Sequence, residues 1–197
     1  MKIGVLGGTF NPPHDGHLTA ARNAKNVLGL DKVLFIPTNI PPHKDLPEHT
    51  ATAADRCEMV RLQIKDEPWA ALSTMEIDRG GASYTVDTLR ALRESKKDTL
   101  YLIIGTDMLL SFDQIWRAPE EIAQLATLAV CAREADDFQM LEAKAAQLHD
   151  TIGANVKLIR GTVLTISSTE LRSGGELRRY TAPAVADYIE QKHLYGF

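Results

Sequence analysis

Cysteine, excess positive charge and long apolar runs are all scarce in this chain, and each shortage excludes something. Only two of the 197 residues are cysteines, Cys57 and Cys131, far apart in apolar surroundings (RCEMV and LAVCA). Two thiols cannot make a disulfide framework or an all-cysteine metal centre, and they read as reduced thiols of a cytoplasmic protein. Basic residues number 22 against 26 acidic ones, a net charge of −4. That balance offers no sequence-blind attraction to nucleic acid or to an anionic membrane, so neither is expected as a partner. The opening MKIGVLGG stops short of a signal-peptide core, and no stretch approaches the roughly 18 apolar residues of a membrane span. Repeats, low-complexity tracts and linkers are also missing. The expectation is one domain over residues 1–197, with the largely helical stretch after Arg172 as its one candidate subdomain.

What is present is an alternation. Short runs rich in Val, Ile and Leu lie at 2–6, 32–36, 70–73, 100–104, 128–131 and 156–159, each with strand character. Between them, helical spacing covers 15–28, 53–64, 85–94, 119–125, 138–148 and 183–191. In the first of these, Leu18, Ala21, Ala24, Val27 and Leu28 share one stripe. Strands that read as continuous apolar runs are covered on both faces, so the fold class is α/β: a doubly wound parallel sheet with helices on both sides and a small C-terminal helical part. Ligands then belong at the carboxyl ends of the strands. The stretch 37–47 (PTNIPPHKDLP) reads as a long loop, because prolines fix φ and lack a donor.

Two segments carry candidate chemistry. Gly7, Gly8, Thr9 and Phe10 follow the first strand and lead through Asn11, Pro12 and Pro13 to His14, Asp15, Gly16 and His17. Adjacent glycines admit a ligand close to the backbone, and the helix start offers free N–H groups and a positive dipole end to an anion. His14 and His17, three apart on the first turn, can face one ligand and donate to phosphate oxygens. The same residues also fit an ordinary turn, a surface cap or half of a metal site. There is no Walker lysine, and the missing spaced glycines of G-x-G-x-x-G disfavour a dinucleotide dehydrogenase. Near the other end, Ser167, Ser168, Thr169 and Arg172 make a second anion cradle in ISSTELR, although Ser167 with Glu170 also has capping-box spacing. Two cradles suggest a polyphosphate.

GGTFNPPHDGH with ISSTELR resembles the nucleotidyltransferase superfamily with its H-x-G-H and S-S/T-x-x-R signatures, specifically the nicotinate-nucleotide adenylyltransferases. Pro41, Pro42, His43 and Lys44 resemble that family's loop after strand two. Ser83, Tyr84, Thr85, Val86, Asp87 and Thr88 resemble its pyridine-site segment. Gly105, Asp107 and Trp116 in GTDMLLSFDQIW resemble its nucleotide and ring segment. Asn11 stands where many relatives have aspartate, and Arg117 where an aromatic is frequent.

The resemblance implies a Rossmann-like fold and a reaction of ATP with nicotinate mononucleotide giving deamido-NAD and pyrophosphate. It puts His14 and His17 on the ATP phosphates, Arg172 with Ser168 and Thr169 on the β and γ groups, and Lys44 on the reacting phosphates. Gly105 and Asp107 would bind ribose; Thr85, Val86, Trp116 and Arg117 would bind the acceptor. Mg²⁺ would travel with ATP, no dedicated metal residues being implied. Phosphopantetheine or nicotinamide-nucleotide adenylyl transfer and a non-catalytic nucleotide sensor are the alternatives, and a homo-oligomer is left open.

Overall fold

The computed structural model describes residues 1–42, 50–94, 97–132, 137–161, 164–174 and 176–197. Its elements run β1 (Lys2–Gly8), α1 (Asp15–Leu28), β2 (Lys32–Pro37), α2 (Ala53–Gln63), β3 (Ala70–Leu72), α3 (Met75–Arg79), α4 (Thr85–Arg93), β4 (Thr99–Gly105), α5 (Thr106–Leu110), α6 (Phe112–Ile115), α7 (Pro119–Leu125), β5 (Ala126–Cys131), α8 (Asp137–Ile152), β6 (Val156–Ile159), α9 (Ser168–Arg172), α10 (Leu177–Tyr180) and α11 (Pro183–Gln191), ending in a 3₁₀ turn at Leu194–Gly196. The strands form one parallel sheet in the order β3-β2-β1-β4-β5-β6. Strand order reverses between β1 and β4, which opens a crevice at their carboxyl ends.

Period-two alternation assigns the two faces. Val5, Leu102, Ile104, Leu128 and Val130 pack on Val86 and Leu89 of α4, Leu109 of α5, Ile122 of α7 and Leu141 of α8. Leu6, Phe35, Ile103, Ala129 and Cys131 face the other way, onto Leu18, Ala21 and Ala24 of α1 and Val60 of α2. Both faces are therefore buried, as runs of branched residues require. A third cluster joins Met59 of α2 to Leu171, Leu177, Val185, Ala186 and Ile189, which fixes the C-terminal helices against α2. Gln63 reinforces that contact. Its amide donates to Asp15 Oδ1 at 2.8 Å and accepts from the Ala182 N–H at 3.0 Å.

Several expectations need correction. Gly7 and Gly8 are the last residues of β1, paired with Ile36 and Pro37, instead of the start of a loop. The Pro-rich loop consequently begins after Pro37, and residues 43–49 lie outside those described. Val27 is 57% exposed, because the buried stripe of α1 is narrower than its apolar spacing suggests. The segment 162–166 is also β-prone by composition; of it, 164–166 are irregular, and 162 and 163 lie outside the described residues.

Candidate active site

The carboxyl ends of β1 and β4 leave open space on both sides of the strand reversal. With Val5 opposite Leu102, the register carries Gly7–Gly8 and Gly105 to the same edge of the sheet. Among the described residues, a Cβ added at Gly7 or at Gly105 would meet nothing within 4 Å. Neither position has a positive φ, so neither glycine is required by protein packing or by backbone conformation. A missing side chain there suits close approach of a ligand.

After β1, Phe10 turns the chain at φ 49 with its ring buried. His14 precedes α1 as its N-cap, and the His14 N–H donates to His17 Nδ1 at 3.2 Å. With Nδ1 accepting, neutral His17 carries its proton on Nε2. The centroids of the two imidazoles lie 3.8 Å apart with the rings tilted by 34°, and the Phe10 and His17 rings meet edge to face with centroids 4.9 Å apart. Burial pulls the His14 pKa from 6.5 down to about 4, with the Glu170 carboxylate opposing. His14 is thus neutral at pH 7, and among the described residues its buried Nδ1 has no hydrogen-bond partner. Gly16 is what admits that ring, since a Cβ there would stand 2.9 Å from His14 Cε1 and Nδ1.

The second motif docks on this loop. Ser168 Oγ donates to the Pro12 carbonyl at 2.8 Å, and Arg172 Nη1 donates to the Asn11 carbonyl at 2.6 Å. Arg172 also reaches Thr169 Oγ1 at 3.2 Å. Ser167 and Glu170 do form the capping box: Ser167 Oγ accepts from the Glu170 N–H at 3.1 Å, and the Ser167 N–H donates to the carboxylate at 2.8 Å. Ser167 is therefore committed to the helix start, and Ser168 and Arg172 partly to holding the first loop. The Asn11 amide is occupied as well: Oδ1 accepts from the Ala51 N–H at 3.3 Å and from the Tyr195 hydroxyl at 2.6 Å.

Across the crevice, Tyr84 caps α4, so the N–H groups of Thr85 and Val86 belong to a first turn that has no intrahelical acceptor for them. The Val86 side chain itself is core. Trp116 follows α6 in extended conformation, half-buried and tilted against Phe112 at 5.3 Å. The exposed guanidinium of Arg117 lies over the Tyr84 ring at 4.4 Å. Asp107 sits in the first turn of α5, whose N-cap is Gly105, so it is not that helix's cap. Lys44 lies outside the described residues.

Sequence reasoning missed Arg56. On the first turn of α2 its guanidinium donates to the carbonyls of Thr9 at 2.9 Å, Thr38 at 2.7 Å and Asn39 at 3.5 Å.

Residues 5–174 match the model of the cytidylyltransferase-like family. A relative from Synechococcus sp. strain JA-3-3Ab, named "Probable nicotinate-nucleotide adenylyltransferase", is 43% identical over 98% of this chain and 94% of its own. One of the same name from Citrifermentans bemidjiense is 38% identical, over 99% of this chain and 98% of its own. The chain belongs to this family, among its nicotinate-nucleotide adenylyltransferases. The fold agrees: a Plasmodium falciparum nicotinic acid mononucleotide adenylyltransferase complexed with NaAD superposes with a TM-score of 0.77 at 19% identity, covering 100% of this chain and 98% of the other.

Proposed function

We propose that the chain transfers the adenylyl group of ATP to nicotinate mononucleotide, releasing pyrophosphate and deamido-NAD as a step of NAD biosynthesis. The observation that carries this reading is the docking of the Ser168–Arg172 segment onto the Asn11–Pro12 carbonyls, which unites two anion-binding loops beside the open ends of β1 and β4. Its two unpaired thiols, Cys57 and Cys131, suit a cytoplasmic setting.

In this reaction an oxygen of the acceptor's 5′-phosphate bonds to the α-phosphorus, and the bond from that phosphorus to the pyrophosphate oxygen breaks. No enzyme nucleophile is needed, so the protein's work is positioning and stabilising charge. We assign the Nε2–H of His17 to the phosphate oxygens on which charge grows, with neutral His14 beside it. Arg172, with Thr169 and Ser168, is assigned to the leaving pyrophosphate, where a fork of N–H donors suits two oxygens at once. Gly7, Gly8, Thr9 and Phe10 line the approach of ATP, and Gly105 and Asp107 that of its ribose. Among the described residues no group of three or more His, Cys, Asp or Glu is arranged around a metal, and the Asn11 amide is already occupied. Mg²⁺ is taken to enter as part of the ATP substrate.

For the acceptor, the first-turn N–H groups of Thr85 and Val86 and the Thr85 hydroxyl are donors, and Arg117 adds a cation held on Tyr84. Trp116 offers the ring a flat platform. A carboxylate accepts at both oxygens, whereas a carboxamide turns an NH₂ toward one donor, a mismatch of about 1–3 kcal/mol when buried. Pyrophosphate release from ATP with nicotinate mononucleotide, nicotinamide mononucleotide and phosphopantetheine tests this. The acid nucleotide should lead by at least about tenfold in kcat/KM. Equal turnover of acid and amide would remove the acid reading, and no release with any acceptor would remove adenylyl transfer.

A further inference from the structure

Arg56 is 2% exposed, and a buried guanidinium normally has a carboxylate beside it. Among the described residues none lies within ion-pair distance, and Nε is buried without a partner. Burial accordingly lowers its pKa from the ordinary arginine value. Among the described residues the hydrogen-bond partners of the guanidinium are all carbonyls, and these belong to two different loops at the carboxyl edge of the sheet.

Peptide geometry makes that arrangement directional. In a trans peptide the C=O and the following N–H point opposite ways. Drawing the Thr9 carbonyl to Arg56 therefore turns the Phe10 N–H away from it. Drawing the Thr38 carbonyl turns the Asn39 N–H away too, and that N–H donates to Ser83 Oγ at 2.9 Å. Asn39 Nδ2 reaches the Gly81 carbonyl at 3.0 Å, and the Ser83 N–H donates to the Ile40 carbonyl at 2.9 Å. Ser83 is two residues before Thr85. One guanidinium thus connects the loop assigned to ATP with the segment assigned to the acceptor.

Resting on the adenylyl-transfer reading, we propose that Arg56 is a positioning residue of the reaction: it holds the donor loop at Thr9 and the acceptor side, through Thr38, Asn39 and Ser83, in one fixed arrangement, and sets an unpaired buried cation beneath two anionic substrates. Stability alone does not account for a charge here, since well-packed apolar groups commonly replace buried ions without loss. Bound phosphates would supply the compensating negative charge.

The test compares wild type with Arg56→Lys and Arg56→Met in the pyrophosphate-release assay, with kcat and the KM of each substrate measured separately. Melting temperatures are taken with and without saturating pyrophosphate. Lysine keeps the charge but cannot span two loops with a fork, so kcat/KM should fall about tenfold for both substrates together. Methionine should lower it about a hundredfold and at least halve the pyrophosphate-induced rise in Tm. If the variants melt lower but keep kcat, both KM values and the pyrophosphate shift within about twofold of wild type, Arg56 is merely structural and the proposal fails. Should Arg56→Met not fold, Arg56→Lys decides on the same readings. An inactive wild type would overturn adenylyl transfer instead, and the pyrophosphate shift of wild type against Arg56→Lys would still decide the positioning of the donor loop.

Discussion

The burial of His14 gives the protein a pH dependence that chemical denaturation can read. Its ring is 5% exposed, tilted against His17 and packed over Gly16, and its pKa falls from 6.5 to about 4 because burial penalises the charged form. As pH drops, the unfolded chain takes up this proton before the native one does. Between about pH 6.5 and 4 the unfolded state therefore binds more protons, and stability falls with falling pH. The gap between 6.5 and about 4 corresponds to about 3 kcal/mol in full, of which about 2 kcal/mol is lost by pH 5 and almost none at pH 7.5. Urea unfolding of wild type and His14→Asn at pH 7.5 and pH 5.0 isolates this contribution, since other groups titrate in both proteins and cancel in the comparison. Wild type should lose about 2 kcal/mol more than the variant over that interval. Equal losses would show that the imidazole is not held neutral by burial, and the description of the loop around it would be wrong.

Two further substitutions probe the same turn. His17→Ala should lower kcat by about a hundredfold or more with a smaller change in the KM for ATP, the behaviour of a lost transition-state donor; steady-state kinetics with an unchanged kcat would remove it from that role. Gly16→Ala sets two effects against each other: helix propensity alone favours alanine by about 1 kcal/mol, but a Cβ 2.9 Å from the His14 ring and 3.2 Å from the Leu164 carbonyl costs about 1–3 kcal/mol in overpacking. A lower Tm together with a lower kcat is expected, and a more stable, fully active variant would show that the ring moves aside freely.

The parallel sheet was legible because residues such as LYLII and LAVC are apolar at every position, which only two covered faces explain. Most helices of four or five residues were not: α3, α5, α6 and α10 span too few turns to show a period, whereas α9 was marked by its capping box. The H-x-G-H motif announced two imidazoles and a glycine, and the reason for the glycine became visible only with the His14 ring against it. Arg56 was invisible for a different cause. In AADRCEM it looks like a solvated charge, and its partners are backbone carbonyls, which leave no residue-type signature at the positions that supply them. The same holds for Ser168 on the Pro12 carbonyl, a contact that crosses 156 residues of chain.

Those contacts also explain how a chain with more acid than base can suit anionic substrates. Over much of the surface the charges are paired: Arg61 with Glu58, Arg90 with Asp87 and Glu121, Arg178 with Asp187 and Glu190, Arg179 with Glu176. Such pairs contribute little to stability and cancel one another's field at a distance. Arg56 and Arg172 are different. Among the described residues neither has a carboxylate within ion-pair distance, and both spend their N–H groups on the loop after β1, at the carbonyls of Thr9 and Asn11. Two guanidiniums from separate helices thus hold alternate carbonyls of one short segment. Screening confines surface charges to about 10 Å in ordinary salt, whereas a buried charge is screened much less. Arg56, being buried, therefore adds a weakly screened positive charge beside the crevice, and Arg172 adds a partly buried one, which the net charge of −4 does not describe. Because α2 and α9 must both be docked before the loop is held, the positive site and the loop's conformation arise together, as consequences of the completed fold.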